Sequence, residues 1–226
     1  MKELIRKAFY SFKTARTKPP MKKHKSRGQS LVEMAIALPV VLMLFSGLAE
    51  FGFMLNYYLS ILDATRYTAR FLADKSPWYV DSGGTEHWGT DEMSFYSEGS
   101  AQAIAQLAPM DASDNTRKVH LNPSTDDVII AVYSIDGSTV NTYPTTADGG
   151  VFHQYGNIPD ASLAFSVTDA QNLAISGAPC QGVVVVEVDY EYHQVLGLPW
   201  MAPLGSPILR AYSIFPLQSA EPQTCS

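Results

Sequence analysis

The chain has 226 residues, of which 46% are hydrophobic and 17% charged, so its composition excludes a fibrous or fully disordered protein and indicates one folded domain with an appendage. Its net charge of −6 averages two regions of opposite sign. Residues 1–28 hold ten of the sixteen Lys and Arg residues and one acid, a net charge of +9, whereas residues 29–226 carry −15. A basic segment directly before an apolar run is a signal of membrane topology. We therefore predict a basic cytoplasmic leader at 1–28, in preference to a disordered arm that binds nucleic acid.

An apolar segment of membrane length follows the leader. Between Glu33 and Asp63 the chain has one charged residue, Glu50, which lies 17 positions after Glu33. That separation is about 26 Å of helix, close to a hydrocarbon thickness of about 30 Å. The alternative, a buried helix of a soluble core, fits less well because the segment is apolar on every face. The sequence predicts one long helix over residues 29–73, with a membrane span at about 34–55.

Two residues of the predicted span need individual interpretation. Pro39 removes an amide donor from the helix and is expected to bend it. Glu50 is either a buried charge that requires a partner or an interfacial residue at the outer edge of the bilayer. The spacing between Glu33 and Glu50 favours the edge.

Beyond the span, the helix is expected to cover a folded domain over residues 76–226. Small and apolar side chains recur on it at steps of three and four, which gives one face that can pack: Tyr58, Leu62, Thr65, Ala69 and Leu72. A short helix is predicted at 95–108, and strands are predicted at 128–133, 183–193 and 208–215 and, more weakly, at 161–167. The sequence therefore predicts an α+β fold, in which a long N-terminal transmembrane helix packs its outer half on a small antiparallel β-sheet domain.

Other features of this domain are predicted from local patterns. The strand at 183–193 alternates, with valines and tyrosines on one face and charged residues on the other, where Asp189 and Glu191 are interpreted as solvated acids. The short helix is expected to use Ala101, Ile104, Ala105 and Ala108 as its apolar face. The polar stretches at 111–127 and 136–160 are predicted to be long surface loops. The apolar segment at 198–204 either docks a partner or, the favoured interpretation, folds back onto the core.

The two cysteines, Cys180 and Cys225, both lie in the C-terminal part of the chain. If the domain is exported, a disulfide between them is the favoured interpretation, because such bonds persist in oxidising compartments. Two unrelated thiols are the alternative.

Motifs of known catalytic chemistry do not occur in the sequence. It has no nucleophile elbow, phosphate loop, dinucleotide fingerprint or zinc-protease helix. Its five histidines lack the spacing of metal ligands. We therefore expect no enzymatic activity, no metal and no cofactor.

The N-terminal region resembles a known family. The segment RGQSLVEMAIALP at 27–39, followed by Gly47, Glu50, Gly52, Ala64, Arg66, Ala69 and Arg70, is similar to the N-terminal signature of TadE-like proteins, the pilin-like components of tight-adherence pilus systems. The resemblance implies that a prepilin peptidase cuts after Gly28 and leaves Gln29 as the new N-terminus. Glu33 then becomes the fifth residue of the mature chain, where pilin-like proteins usually carry a glutamate.

The resemblance also implies partners and a location. Glu33, Pro39 and Glu50 are the residues expected to serve processing and assembly. The partners are the prepilin peptidase, other pilin-like subunits and secretion machinery of the same system, and the lipid bilayer. The protein is expected to cross the bacterial cytoplasmic membrane once, with its N-terminus cytoplasmic and its C-terminal domain outside, or to enter a surface filament. The leader is long for this family, so a start at Met21 remains open.

Three alternatives compete with this interpretation. A secretory signal peptidase that cuts after Ala49 would release a soluble protein. A single-pass anchored binding domain that never enters a filament is the second alternative. An exported hydrolase with an unrecognised site is the third.

Overall fold

A computed structural model describes residues 27–80, 82–83, 86–88, 94–108, 119–137, 139–144, 150–156, 163–173 and 180–217. The predicted leader up to residue 26, the predicted loop over 111–118 and Cys225 lie outside the described residues. The chain divides into two units, Met1–Leu44 and Phe45–Ser226. The predicted boundaries of the leader and of the domain at 76–226 remain predictions.

The longest element is helix α1, Arg27–Ala73, which contains Pro39. Its apolar sequence contains few residues that favour turns. The helix ends at Ala73, where Lys75 N–H donates to Leu72 O (2.9 Å) shortly before Pro77. The predicted long helix is confirmed.

The remaining elements belong to the second unit. Two short strands, β1 (Trp78–Val80) and β2 (Glu86–Trp88), form a separate antiparallel pair. Helix α2 spans Ser94–Leu107. The larger sheet contains β3 (Asp127–Asp136), β4 (Thr139–Tyr143), β5 (Phe152–His153), β6 (Cys180–Glu191) and β7 (Ile208–Pro216). Helix α3 (Val167–Leu173) precedes β6, and a 3-10 turn (Ala202–Leu204) precedes β7.

The larger sheet is antiparallel throughout, in the order β4-β3-β6-β7, with β5 also paired to β3. Strands β3 and β6 form its centre and pair from Asp127↔Asp189 to Asp136↔Cys180. Strand β7 pairs with β6 from Val183↔Pro216 to Glu191↔Ile208. This sheet and the long apolar helix confirm the predicted α+β fold.

One face of the sheet forms the main hydrophobic core with α1 and α2. The valines and tyrosines of β6 contribute the predicted face, and α1 contributes Ile61, Ala64, Ala69 and Leu72. Gly99 of α2 allows close packing, because a Cβ at this position would lie 2.8 Å from the side chains of both Ile130 and Leu72. The predicted packing of the C-terminal half of α1 on the sheet is therefore observed, and Asp63, Arg66 and Arg70 are exposed on its other faces.

The opposite face of the sheet is also covered, contrary to the prediction of a solvated face. Ala131, Tyr133 and Val185 pack there with Phe165 and Ala170, which come from the 163–173 segment. The Tyr133 hydroxyl donates to Phe165 O at 3.1 Å. The prediction that only one face of β6 is buried was wrong. The residues that cover the other face come from a distant part of the chain, so the local pattern of the strand does not reveal them.

Three local predictions were also wrong. The buried face of α2 consists of Phe95, Tyr96, Gly99, Ser100, Ala103 and Leu107, whereas of the predicted face Ala101 is exposed and Ile104 is only partly buried against the core. The described part of the weak strand predicted at 161–167 forms bends that lead into α3. The loop predicted at 136–160 contains β4 and β5.

Candidate functional site

The N-terminal part of α1 presents an exposed apolar surface. Leu31 is 71% exposed and Leu44 69% exposed. Within the described residues, the helical segment Gly28–Ala73 alone is long and apolar enough to cross a membrane, and its most apolar window has a mean hydropathy of 2.2 with none of it buried. Water would solvate such a surface poorly, whereas lipid chains would match it. The helix therefore fits a single-pass membrane anchor.

The predicted processing residues occupy the first two turns of α1. Gly28 and Gln29 are exposed, and a Cβ on Gly28 would meet no described atom within 4 Å beyond its chain neighbours and the backbone of its own helix. The Gln29 amide donates to Glu33 Oε1 at 3.4 Å, one helical turn away. Glu33 is also exposed, so its carboxylate is accessible to a partner in a second molecule. Cleavage at Gly28 and the roles of Glu33 and Pro39 stay predictions.

Glu50 is a buried charge with hydrogen-bond partners in the same chain. It is 4% exposed. Its Oε1 accepts hydrogen bonds from the Tyr192 hydroxyl (2.5 Å) and Val195 N–H (2.8 Å), and its Oε2 accepts one from Leu196 N–H (3.0 Å). We call this arrangement the Glu50 clamp. It joins α1 to the connection that follows β6 and supplies the partners that the buried-charge interpretation required, whereas the position of Glu50 relative to a bilayer stays a prediction.

The phenol of Tyr192 is suited to its role as a donor in the clamp. Burial raises the pKa of Tyr192, and the hydrogen bond to Glu50 raises the pKa further, so the hydroxyl keeps its proton at physiological pH. The Tyr192 ring is held by Tyr57 of α1, whose ring lies edge-on at a centroid distance of 5.5 Å.

The connection between β6 and β7 makes a second contact with α1. Trp200 Nε1–H donates to Ser46 Oγ at 3.1 Å, four residues before Glu50. The Gln194 amide donates to Met201 O at 2.7 Å and closes the connection on itself. A cavity of about 260 Å³ lies between this connection and α1, with Phe51 and Met54 in its lining. The segment predicted to fold back onto the core does so through Met201, which is buried, whereas Trp200 remains 45% exposed.

A cluster of charged side chains is buried on the second face of the sheet. The acids Asp127, Glu187 and Asp189 are fully buried, which corrects the interpretation of Asp189 as solvated. Arg210 of β7 binds Asp189 through two hydrogen bonds, Nε–Oδ1 at 2.9 Å and Nη2–Oδ2 at 3.0 Å, and its Nε lies 3.2 Å from Glu187 Oε1. His153 Nδ1 lies 2.8 Å from Asp127 Oδ2.

Burial dominates the electrostatics of this cluster. It raises the pKa of Glu187 to about 7, although the hydrogen bond from Ala164 N–H and the charge of Arg210 oppose the increase. The pKa of Asp189 is also raised by burial, against the attraction of Arg210. No group of three or more His, Cys, Asp or Glu side chains in the described part of the chain is arranged to hold a metal ion. Arg210 and the two acids of β6 therefore form an internal ion-pair cluster that joins β6 to β7.

The disulfide prediction stays a prediction. Cys180 is the first residue of β6, but Cys225 lies beyond the last described residue.

The comparisons with known proteins bear on the first of these features, the exposed helix. Residues 28–70 match the model of the TadE-like protein family. No curated protein and no solved structure matches the chain. The match begins at Gly28, includes Glu33 and Glu50, and confirms the resemblance that the sequence suggested. Residues 28–70 are therefore a TadE-like region, which relates this protein to components of Tad pilus systems.

Proposed function

We propose that this protein is a minor pilin or an assembly protein of a tight-adherence pilus, and that it acts without enzymatic activity. Its N-terminal helix inserts into the bacterial cytoplasmic membrane, and a prepilin peptidase removes the leader after Gly28. The mature helix then packs against other pilin-like subunits of the same system.

The observation that carries this proposal is the coincidence of the TadE-like region with the exposed apolar helix. The family match covers residues 28–70, and the apolar side chains of its first half, such as Ile36 and Leu44, are exposed. The charge distribution supports the orientation, because the cationic leader favours the cytoplasmic side. The acidic remainder of the chain then faces the extracytoplasmic side.

Assembly requires a partner for Glu33. A carboxylate near hydrocarbon is costly unless a donor or cation satisfies it. Cleavage after Gly28 frees the α-amino group of Gln29, and we propose that Glu33 of one subunit pairs with this group of a neighbouring subunit. The Gln29 amide contact within one chain is long (3.4 Å) and easily exchanged.

Leader removal can be tested by the mass of the mature protein. In cells that contain the prepilin peptidase of the same system, the mature chain should begin at Gln29. Gly28→Ile should leave the full leader in place, because a β-branched side chain obstructs access to the scissile carbonyl. Ala49→Ile serves as the matched control and should be processed normally.

Other N-termini would contradict this proposal in distinct ways. A chain that begins at Glu50, and whose formation Ala49→Ile blocks, would indicate ordinary secretion. A chain that keeps its leader beside an active peptidase would indicate a plain membrane anchor with an extracytoplasmic binding domain. Processing of Gly28→Ile at residue 28 would also contradict the assigned cleavage site.

A further inference from the structure

The connection between β6 and β7 differs in charge from the rest of its domain. Residues 194–209 contain no charged side chain, although the chain after residue 28 has a net charge of −15. Several apolar side chains of this connection reach solvent, including Val195, Leu196 and Trp200. A surface segment that is both charge-free and apolar indicates contact with something other than water.

The helix beside this connection shows the same character. Phe45, Leu48 and Phe51 of α1 are exposed around Ser46 and Glu50, the two residues that hold the connection. These positions lie within the predicted span at 34–55. Because hydrogen bonds fix the connection to Ser46 and Glu50, the bilayer that surrounds this part of the helix must also meet the connection.

Several polar groups of the connection find partners within the protein, which a lipid environment favours. The amides of Val195 and Leu196 donate to Glu50, and the indole N–H of Trp200 donates to Ser46. Met201 N–H donates to Leu198 O at 2.9 Å, and Gly205 N–H donates to Ala202 O at 3.2 Å. The carboxylate of Glu50 is likewise satisfied by three donors, so it can lie near the hydrocarbon without a counter-ion.

We propose that residues 194–207 form a second membrane-contact element, which lies in the bilayer interface beside α1 with Trp200 at the level of the lipid headgroups. The occupant of this surface is lipid, because its apolar face is continuous with that of the helix segment that fits a membrane anchor. The amphipathic indole of Trp200, with a satisfied N–H and an exposed ring, suits the headgroup region. This proposal rests on the membrane insertion in the proposed function, but on neither leader cleavage nor filament assembly.

Quenching of tryptophan fluorescence by brominated lipids tests this proposal. The full chain and its Trp200→Phe variant are reconstituted at low protein density in phosphatidylcholine vesicles with bromine near the headgroup end of the acyl chains. The difference between the two emission spectra isolates Trp200. We expect the brominated lipid to reduce this difference at least about twofold, because an interfacial indole touches the upper acyl chains. Trp200→Phe removes the hydrogen bond to Ser46 but keeps an aromatic ring at an exposed position, and the Glu50 clamp still holds the connection to α1.

A second variant separates the failure of this proposal from the failure of membrane insertion. Leu44→Trp, made in the Trp200→Phe background, reports on the helix itself. If Leu44→Trp is quenched and Trp200 is not, the connection does not touch lipid and the inference is overturned, whereas insertion stands. If neither is quenched, insertion fails as well. Protection of Trp200 from aqueous iodide only in assembled filaments would assign the surface to a neighbouring subunit and would equally overturn the inference.

Discussion

Arg210→Met should lower the free energy of unfolding by about 3 kcal/mol, because loss of one partner strands a buried charge. Arg210 is the cation that contacts both Glu187 and Asp189, and both acids are fully buried. Breaking a buried pair costs about 3–5 kcal/mol, and we expect the lower end because the Arg210 side chain is 35% exposed. Urea unfolding of the full chain in detergent micelles, followed by circular dichroism, measures this change.

Arg66→Met is the matched control for this prediction. Arg66 also lies near a carboxylate, at 3.8 Å from Asp63, but its side chain is 62% exposed. Exposed pairs of this kind contribute about 0–1 kcal/mol. If Arg66→Met and Arg210→Met lost equal stability, the buried cluster would have no special role in holding β6 to β7.

The pH dependence of the Arg210→Met variant follows from the raised pKa values. The pKa of Glu187 is about 7 in the folded state, against an ordinary value of 4.5. Between these pH values Glu187 therefore keeps a proton in the folded chain that it loses in the unfolded chain. Stability from this group is therefore complete below about pH 4.5 and is lost as the pH rises towards 7. Removal of Arg210 leaves the carboxylates without their cation, so the deficit of the variant should be larger at pH 8 than at pH 5. A deficit that is independent of pH would contradict this assignment.

Glu50→Ala should cost about 3 kcal/mol, because it leaves the amides of Val195 and Leu196 and the hydroxyl of Tyr192 without an acceptor. These donors lie beside apolar side chains, where water replaces the lost acceptor poorly. We expect faster hydrogen exchange at the amides of residues 195 and 196, together with the loss of stability. Exchange measured by mass spectrometry on peptides from the connection checks both the site and the direction.

Glu33→Ala is the control for this second prediction. Glu33 is an exposed glutamate of the same helix, and its described partner is the Gln29 amide. Its substitution should leave exchange at residues 195 and 196 unchanged. Unaltered exchange in Glu50→Ala as well would show that the Glu50 clamp does not hold the connection.

Periodic apolar patterns predicted the elements of this fold well. The steps of three and four after residue 57 placed Thr65, Ala69 and Leu72 against the sheet, and all three are buried. The valines of the strand at 183–193 were assigned to the core face, and Val184, Val186 and Val188 are fully buried there. Both patterns repeat over several turns or pleats, so a single substitution does not obscure them.

The polar parts of the fold escaped prediction because their partners are distant in sequence. The acceptor for the Val195 and Leu196 amides is Glu50, about 145 positions earlier, and no local pattern reveals such a pair. The sequence indicated a partner only for Glu187 and Asp189, because Arg210 lies on a neighbouring strand directly opposite Asp189. The buried face of α2 was missed because it includes Gly99 and Ser100, which a search for apolar residues omits.

The candidate site was likewise predicted only where its residues are contiguous in sequence. The motif at 27–39 predicted the TadE-like region, because it is a contiguous run of residues that can be recognised from sequence alone. Edge strand β4 was missed because Thr139, Asn141 and Thr142 resemble a loop in composition. An edge strand with one paired side tolerates such polar residues, so composition cannot identify it.

The central claim is that α1 holds the protein in a lipid bilayer, and extraction of membranes with alkaline carbonate tests it most directly. This treatment removes peripheral proteins and leaves chains that span the bilayer. The account predicts that the full chain, cleaved or uncleaved, stays in the membrane pellet. Recovery of the intact chain in the soluble fraction, before or after the alkaline wash, would contradict it.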